Sequence, residues 1–545
     1  MAFAGGMILV IAFIVYLIMV AYRHMRMRVI INKLPGPRTL GLLGNAHQIK
    51  INPDEFFEQA TGIALMYQQP RLQRIWMLTT PYVIIYGADE AEVILSSNKH
   101  NTKAREYELL HPWLGSGLLT SRPSKWRKRR KQLTPAFHYD ILKDFVDVFN
   151  QEAKVLICKL VPFALSGESL DVYHYMTLCA LDIICESAMG RHVGAQSNAY
   201  PEYVQAIYKI NQIIHQRQKK PHFWPDITFK LFGRGKEHDW CLKILHDFTD
   251  KVVRKRHDEI KQAGGLDNLL NNNGKSAQHH DGDKRRRLAF LDLLLNMVDR
   301  GELPIEDVRM EVDTFMFEGH DTTATAMNWM LQMLGAHEDY QLKVHNELDA
   351  IFGDDDRPPT FADISQMKYL ECCIKEALRL FPSVPLFARE MGADIKIKGY
   401  DIPAGTPVII NPFMVHRDPT YWPDPEIYNP DRFLPENTAH RHPYAYLPFS
   451  AGARNCIGQR FALMEEKTVL SWMLRYFRVR AVNRRDQIRP KGELILRPAQ
   501  GVHIRLHLRR VPSFVPDCYD TNHNDVITDV SVSKMAERRT TQPRS

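Results

Sequence analysis

Apolar and polar positions along the chain follow two periods. Helical spacing, with apolar residues three and four apart, dominates residues 140–262 and 305–334. Alternation with period two, which is typical of half-buried strands, is confined to short segments. These are residues 72–86 with a break at Thr80-Pro81, residues 394–410 with a turn at Pro403-Ala404-Gly405, and residues 492–507 around Ala499-Gln500-Gly501. The pattern predicts a mainly α fold with small β-sheets, in which 72–86 and 492–507 are hairpins.

The N-terminal 22 residues are apolar and carry no charge. A segment of this length can span a bilayer, and the three arginines that follow between residues 23 and 28 place the rest of the chain in the cytoplasm by the positive-inside rule. A cleaved signal peptide would need a basic start and a small-residue cleavage site. We therefore interpret residues 1–22 as a transmembrane signal anchor. Residues 23–38, which end in the stiff turn LPGPR, are interpreted as a basic linker containing Pro and Gly.

Composition narrows the class of protein further. Hydrophobic content of 45% and charged content of 25% allow a large core, and a net charge of +8 over 545 residues is too weak to indicate nucleic-acid binding. The 8 cysteines form no C-x-x-C pair, which fits a reducing compartment. Residues 264–287 are rich in Asn and Gly and predict a flexible insert, whereas residues 510–545 predict a disordered tail. A single domain of residues 39–509 is left between anchor and tail.

The run PFSAGARNCIG at residues 448–458 presents one cysteine, Cys456, in a glycine-punctuated turn before a helical pattern. Backbone amides at such a turn can tune a thiolate that binds a metal, and Arg454 supplies a positive charge for an anion beside it. A lone cysteine is usually a small buried hydrophobe. However, F-x-x-G-x-R-x-C-x-G, counted from Phe449, should occur by chance in about one chain in 10⁴ of this length. The run resembles the haem-thiolate loop of the cytochromes P450, which implies that Cys456 is the axial iron ligand and that haem b is the cofactor.

A second motif, FEGHDTT, lies at residues 317–323 in the long helical pattern. Glu318, Asp321 and Thr322 share one side of the helix, and the Thr322 hydroxyl can bond back to the carbonyl of Glu318 and open the helix locally. Seen alone, the motif could be a kinked core helix with incidental polar groups. It resembles the oxygen-activation sequence of the family, which implies that Thr322 donates a hydrogen bond where O₂ is activated and that Asp321 relays protons.

The residue at position 318 departs from the usual family pattern, where Ala or Gly stands in place of Glu318. The departure is typical of family 4, the fatty-acid hydroxylase branch, and implies that Glu318 can form an ester with a haem methyl group. We state as a hypothesis that the haem is covalently linked through Glu318 in a fraction of the mature enzyme.

A basic run follows at residues 125–131, where Trp126 and Arg130 share one helical face. The pair matches the W-x-x-x-R of the family, and Arg389 matches another family position; the resemblance implies that these residues bind haem propionates. The remaining cations of the run are predicted to face outward, as a docking patch for the acidic surface of an electron donor. A charge run of this kind is more often only a solvated face.

Glu376 and Arg379 stand three residues apart on a predicted helix, and Arg432 lies between them and Cys456 in sequence. The set resembles the Glu-Arg-Arg network of the family, which we interpret as structural. The segment 107–119 is apolar but is broken by Gly and Pro, which predicts a loop. This loop either covers the substrate cavity or only packs on the core. The candidate substrate-contacting residues are Tyr107, Leu110, Trp113, Val384 and Leu386.

The resemblance covers residues 30–508 and is strongest to the V subfamily of family 4, with insect C-type members close behind. It implies an endoplasmic-reticulum monooxygenase that takes electrons from NADPH through NADPH–cytochrome P450 reductase, uses O₂, contacts membrane lipid, and hydroxylates the terminal (ω) carbon of medium- or long-chain fatty acids. A hydroxylase of xenobiotics or of terpenoid or steroid hormones would carry the same motifs. A haem-binding sensor without turnover, or a membrane-tethered scaffold without cofactor, are alternatives of other classes.

Overall fold

The computed structural model describes residues 2–197, 199–266, 268 and 289–514. The α-helices of these residues are α1 (Ala2–Ile31), α2 (Pro53–Met66), α3 (Ala88–Leu95), α4 (His111–Leu114), α5 (Pro123–Leu133), α6 (Tyr139–Ser166), α7 (Val172–Met189), α8 (Pro201–Lys219), α9 (Asp226–Phe232), α10 (Gly235–Gln262), α11 (Phe290–Asp299), α12 (Ile305–Ala336), α13 (Glu338–Phe352), α14 (Phe361–Gln366), α15 (Lys368–Leu380), α16 (Pro412–Val415), α17 (Pro435–Thr438) and α18 (Gln459–Tyr476). The mainly α fold is confirmed.

The strands are short and pair into small sheets, as predicted. They are β1 (Leu72–Met77), β2 (Thr80–Ile85), β3 (Thr102–Lys103), β4 (Ser169–Asp171), β5 (Phe387–Glu390), β6 (Ile395–Ile397), β7 (Tyr400–Ile402), β8 (Pro407–Ile410), β9 (Phe477–Ala481), β10 (Pro490–Gly492), β11 (Leu496–Pro498) and β12 (His503–Leu508). The largest sheet has the order β1-β2-β8-β5-β3, in which β2 and β8 are parallel. The smaller sheets are β4-β12-β9, β10-β11 and β6-β7.

Helix α12 runs through the core. Pro304 precedes it, and Glu306 and Asp307 in its first turn complement the positive end of the helix dipole. Most of its side chains between residues 308 and 335 are buried, and it packs against α7, α10, α15 and β9. Close packing on most sides of the helix therefore fixes the axial and rotational position of its polar groups.

The period-two segments give two confirmed predictions and one error. The hairpin at 72–86 forms with Met77 opposite Thr80, and short strands lie within 394–410. The predicted hairpin at 492–507 is wrong, because β12 pairs with β9 and β4 rather than with the strand before it. The local hairpin joins β10 to β11, while the alternating residues of β12 bury Ile504 and Leu506 in a sheet whose other strands are distant in sequence.

The predicted loop at residues 107–119 is partly helical. A 3₁₀ helix covers Arg105–Leu110, and α4 follows it directly. The chain then turns at Gly115, whose φ of 56° and contact with Met310 leave no room for a Cβ atom. Packing against α12 therefore orders a segment whose own Pro and Gly residues favour a loop.

Helix α1 continues beyond residue 22 as far as Ile31, so residues 23–31 of the predicted linker are helical. Within the described part of the chain, no helix meets the combined length and apolarity needed to cross a membrane. The predicted anchor includes Met1, which lies outside the described residues. The predicted insert and tail lie outside them as well, apart from residues 264–266, 268 and 510–514.

Candidate active site

One cavity of about 490 Å³ brings together most of the residues that the sequence singled out. Its walls come from α5, the middle of α12, the segment after α15, strand β5 and the loop before α18. Its lining is largely apolar. The predicted site residues in this lining are Tyr107, Leu110, Trp126, Arg130, Glu318, Thr322, Val384, Leu386, Arg389, Phe449, Arg454 and Cys456.

The loop before α18 is built to hold Cys456 at the cavity. The backbone N–H of Cys456 donates to the carbonyl of Phe449 at 2.9 Å. At Gly452 φ is 72°, and a Cβ atom there would lie 1.8 Å from the carbonyl oxygen of Leu95, so only glycine fits. Burial and the negative charge of Glu318 raise the pKa of the Cys456 thiol to about 12. A bound metal ion would favour the thiolate form of this sulfur.

This end of the cavity carries cations that form no ion pair with any described residue. Arg454 donates to the carbonyl of Ser121 at 2.7 Å, but its Nε and Nη1 have no hydrogen-bond partner among the described residues. Arg389 is buried and donates to the neighbouring Ala388 carbonyl at 3.1 Å. Burial and the charge of Arg389 lower the pKa of Arg454 to about 9.

Lys103 joins this cluster, and the sequence reasoning missed it. It lies opposite Arg389 in the β3–β5 pair, and its ammonium lies over the Tyr107 ring at 4.4 Å from the centroid. Burial, then the charges of Arg389 and Arg454, hold its pKa well below the usual range. A lone lysine in a short strand has no spacing signal that could have revealed it. Together, these unpaired cations fit a ligand with two carboxylates beside the Cys456 sulfur, as the propionates of haem would require.

Arg130 differs from its predicted role in one respect. Its guanidinium donates to the carbonyl of Asn455 at 2.7 Å and to its side-chain oxygen at 2.9 Å, so it holds the cysteine loop directly. Trp126 lies one turn earlier on α5, and the guanidinium carbon of Arg454 lies over its ring, 4.8 Å from the ring centroid. Both side chains still line the cavity beside Cys456.

The basic run on α5 is not wholly outward-facing, which corrects the prediction. Arg129 is buried and forms ion pairs with Asp307 and, at 3.3 Å, with Glu311. Lys125 pairs with the same Asp307 at 3.0 Å. The exposed cations of the run are Arg127, Lys128 and Lys131.

On α12, the polar motif faces the cavity at Glu318 and Thr322. The Thr322 hydroxyl donates to the carbonyl of Glu318 at 2.6 Å, as expected. The expected local opening is absent in the described helix, which is continuous from 305 to 336. Ser383, another residue that the sequence reasoning missed, donates to the Thr322 carbonyl at 2.9 Å. Burial raises the pKa of Glu318 to about 7, although Lys103 acts in the opposite direction.

Asp321 lies behind the cavity rather than in its lining. It is fully buried and forms an ion pair with Arg497, which also bonds Glu493 at 2.9 Å. Glu493 in turn lies 2.7 Å from the partly exposed Lys491. This chain of charged groups links α12 to the surface, and Arg497 could not be recognised from the sequence because it belongs to no motif.

Two further groups of predicted residues lie apart from the cavity. Trp113 packs against Phe317 with ring centroids 4.6 Å apart and does not line it. The Glu376 carboxylate receives Arg379 at 2.7 Å and lies 3.5 Å from the Arg432 Nε, so the predicted three-residue network is brought together. Arg379 also donates to three backbone carbonyls, which ties α15 to the chain after α16.

Comparison with known proteins agrees with the fold and the cysteine loop. The sequence model of the cytochrome P450 family matches residues 34–505. The chain is 48% identical over 474 residues to "Cytochrome P450 4V2" of Homo sapiens, which covers 87% of this chain and 89% of that protein. It is 47% identical over 497 residues to "Cytochrome P450 4c3" of Drosophila melanogaster, a match that covers 90% of this chain and 92% of that protein. It is 40% identical over 502 residues to "Cytochrome P450 4c21" of Blattella germanica, a match that covers 92% of this chain and 98% of that protein.

The chain therefore belongs to the cytochrome P450 family, within family 4. It is a monooxygenase, and family membership implies haem iron, O₂ and a redox partner. The predicted likeness to the V subfamily and to insect C-type members is confirmed. The donor set around Cys456 fits such a haem, because one thiol and several unpaired cations face the same space.

Proposed function

We propose that this protein hydroxylates the terminal carbon of medium- or long-chain fatty acids, with electrons from NADPH delivered by NADPH–cytochrome P450 reductase. The observation that carries the proposal is Glu318, the residue typical of the fatty-acid hydroxylase branch, in the same cavity lining as Cys456. The apolar remainder of the lining suits an alkyl chain. Terminal C–H bonds are stronger than internal ones, so terminal selectivity needs a channel that admits only the end of the chain.

In this proposal, bound haem supplies O₂ activation and the transfer of one oxygen atom. Cys456 would hold the haem iron through its sulfur, and Lys103, Arg389 and Arg454 would neutralise the propionates. Thr322 presents its hydroxyl to the cavity and gives up its bond to the Glu318 carbonyl when a better acceptor is present. Asp321 is the group that exchanges protons with solvent, and Arg497 holds its carboxylate in place without giving up a proton of its own.

The experiment that tests the function combines the haem-loaded protein with reductase, NADPH and a series of saturated fatty acids of about 8 to 18 carbons. The position of the oxidised carbon in each product is then determined by mass spectrometry. Oxygen mainly on the terminal methyl group supports the proposal. Oxidation at internal carbons contradicts the proposal. So does a lack of fatty-acid oxidation when other lipophilic compounds do support NADPH consumption; either result favours a hydroxylase of hormones or foreign compounds.

We also propose that Glu318 esterifies a haem methyl group during turnover. One methyl C–H bond breaks and one C–O bond to the carboxylate forms, with two electrons passing to the oxidant that turnover generates from O₂. Acid solvent should then leave part of the haem on the protein after turnover, and the Glu318→Ala variant should release all of it. Complete release from the wild type would contradict the ester.

Residues 1–22 are proposed as an anchor in the endoplasmic-reticulum membrane, with the catalytic domain in the cytoplasm. In the described part of α1, apolar side chains are exposed on all sides, as at Ile11 (53%), Phe13 (61%) and Ile18 (63%). The uncovered apolar surface would lie in lipid. Deletion of residues 1–22 should release the protein from membranes washed at alkaline pH; a deletion variant that stays bound would contradict the anchor.

A further inference from the structure

A second basic group of the cavity lining lies on α8. Lys219 is the last residue of α8, and its Nζ donates to Nε2 of His215 one turn earlier. The ammonium lies over the ring of Phe56 from α2, 3.3 Å from the centroid, and the rings of Phe56 and His215 meet edge to face at 5.7 Å. Lys219, His215 and Phe56 all line the cavity. Two helices therefore hold this ammonium in one place.

Lys219 has no anionic partner. Among the described residues, no carboxylate lies within ion-pairing distance of its Nζ. Glu493 also lines the cavity and acts on Lys219 from further away, but its carboxylate is already bonded to Lys491 at 2.7 Å and to Arg497 at 2.9 Å. Arg497 in turn pairs with Asp321. Three basic groups thus face two carboxylates here, and both carboxylates are paired with Lys491 or Arg497, which leaves Lys219 without a carboxylate partner among the described residues.

The haem does not account for Lys219. The cations that act on one another near Cys456 are Lys103, Arg389 and Arg454, whereas the groups that act on Lys219 and His215 are Glu493 and Lys491. The two sets share no member. A buried ammonium at a cavity wall is costly unless a ligand supplies the opposite charge.

We propose that Lys219, held by His215 and Phe56, binds the carboxylate of the substrate at the end of the cavity formed by α2 and α8. This inference rests on the proposed function, because it specifies which end of a fatty acid is recognised. Apolar residues such as Ile75, Met77, Leu494 and Ile495 line the same cavity and would cover the alkyl chain. Fixing the carboxylate at this end leaves the methyl end free to extend to the part of the cavity lined by Thr322, which gives terminal selectivity a physical basis.

The pH dependence of binding follows from the same site. Burial lowers the pKa of Lys219 to about 6, against the smaller effect of Glu493. Burial also keeps the pKa of His215 well below its usual value, so His215 is neutral near pH 7 and accepts from Lys219. Above pH 6 the free protein must take up a proton to pair with a carboxylate. Affinity for a fatty acid should therefore fall as pH rises from 6 to 8, while affinity for its methyl ester stays level.

The test measures calorimetric binding of dodecanoate, methyl dodecanoate and dodecanol to the haem-loaded full chain and its variants. Lys219→Met should weaken dodecanoate binding about 10- to 100-fold and leave the ester and alcohol within about twofold, whereas Lys219→Arg should retain preference for the acid. Lys220→Met is the matched control, because it removes the same charge from the next residue, which does not line the cavity. Equal binding of dodecanoate by Lys219→Met and wild type overturns the inference, and so does an equal loss for acid and ester.

Failure of the inference and failure of the proposed function give different results. Terminal oxidation of dodecanoate with the same affinity and the same product distribution in wild type and Lys219→Met would overturn the carboxylate site and leave the function intact. Charge-dependent binding of dodecanoate through Lys219, without oxidation of any fatty acid, would support the site and contradict the function. Loss of terminal selectivity in Lys219→Met supports both.

Discussion

Thr322 is the residue whose position says most about the chemistry. Thr322 lines the cavity, and among the described residues its hydroxyl is bonded only to the carbonyl of Glu318, one turn earlier on the same helix. Its carbonyl is held by Ser383, so the side chain can move without releasing the backbone. A hydroxyl that can rotate away from this backbone carbonyl can donate to a ligand in the cavity.

We expect Thr322→Ala to keep the haem-thiolate spectrum and to continue to consume NADPH. Product formed per NADPH should fall several-fold and hydrogen peroxide should rise in proportion, because the hydroxyl that directs proton delivery is missing. Product, peroxide and NADPH are measured in the same reaction. Thr322→Ser keeps the hydroxyl and should stay close to wild type; unchanged coupling in Thr322→Ala would show that the assigned role is wrong.

The functional residues that the sequence predicted belong to local motifs, whereas those that it missed do not. Cys456, Glu318 and Thr322 belong to motifs with fixed local spacing, which a single chain reveals. Lys103 and Lys219 are single cations whose meaning depends on a cavity assembled from distant segments. No local pattern distinguishes them from lysines on a solvated surface.

At the scale of elements, local sequence patterns predict helices well but do not predict which distant strands pair. Helix α12 was predicted nearly to its ends, because its apolar period extends over some eight turns. The hairpin at 492–507 was wrong, because alternation shows that β12 is a half-buried strand but not that its partners are β4 and β9. Strand pairing between distant segments is decided by the whole core rather than by the turn next to the strand.

Helix α15 is attached to the chain after α16 by Arg379. This guanidinium is fully buried, pairs with Glu376 and donates to the carbonyls of His416, Pro425 and Ile427. Arg379→Ala would leave a buried carboxylate and three carbonyls without their donor. We expect the free energy of unfolding to fall by about 3–5 kcal/mol, with loss of haem at lower denaturant concentration.

The matched control for Arg379→Ala is Lys343→Ala, which removes an exposed cation 3.0 Å from Asp431 on the neighbouring segment. Because that pair is open to solvent, the expected loss is within about 1 kcal/mol. Denaturation of the haem-loaded protein is followed by haem absorbance and by tryptophan fluorescence. A loss for Arg379→Ala no larger than that of Lys343→Ala would mean that the network does not stabilise the fold.

At the scale of the whole molecule, charge and apolar surface are separated. The cavity has cations at two places, near Cys456 and at Lys219, and most of the rest of its lining is apolar. On the outside, Arg127, Lys128 and Lys131 project from α5, the helix whose Trp126 and Arg130 line the cavity beside Cys456. An electron donor docked on these exposed cations would thus contact the helix that carries part of the proposed haem site.

Replacing Arg127, Lys128 and Lys131 with Glu should raise the KM for reductase several-fold and weaken its dependence on salt, because electrostatic attraction between the partners is reversed. Turnover driven by an organic hydroperoxide bypasses the reductase and should stay unchanged. The same replacement at Lys251, Arg254 and Lys255, which are exposed on α10, changes the net charge equally and should leave the KM near wild type. If both triple variants raise the KM alike, the effect belongs to total charge, and α5 is not the docking surface. If only the α5 variant does so while hydroperoxide turnover holds, electrons enter the protein on the side of the α5 helix.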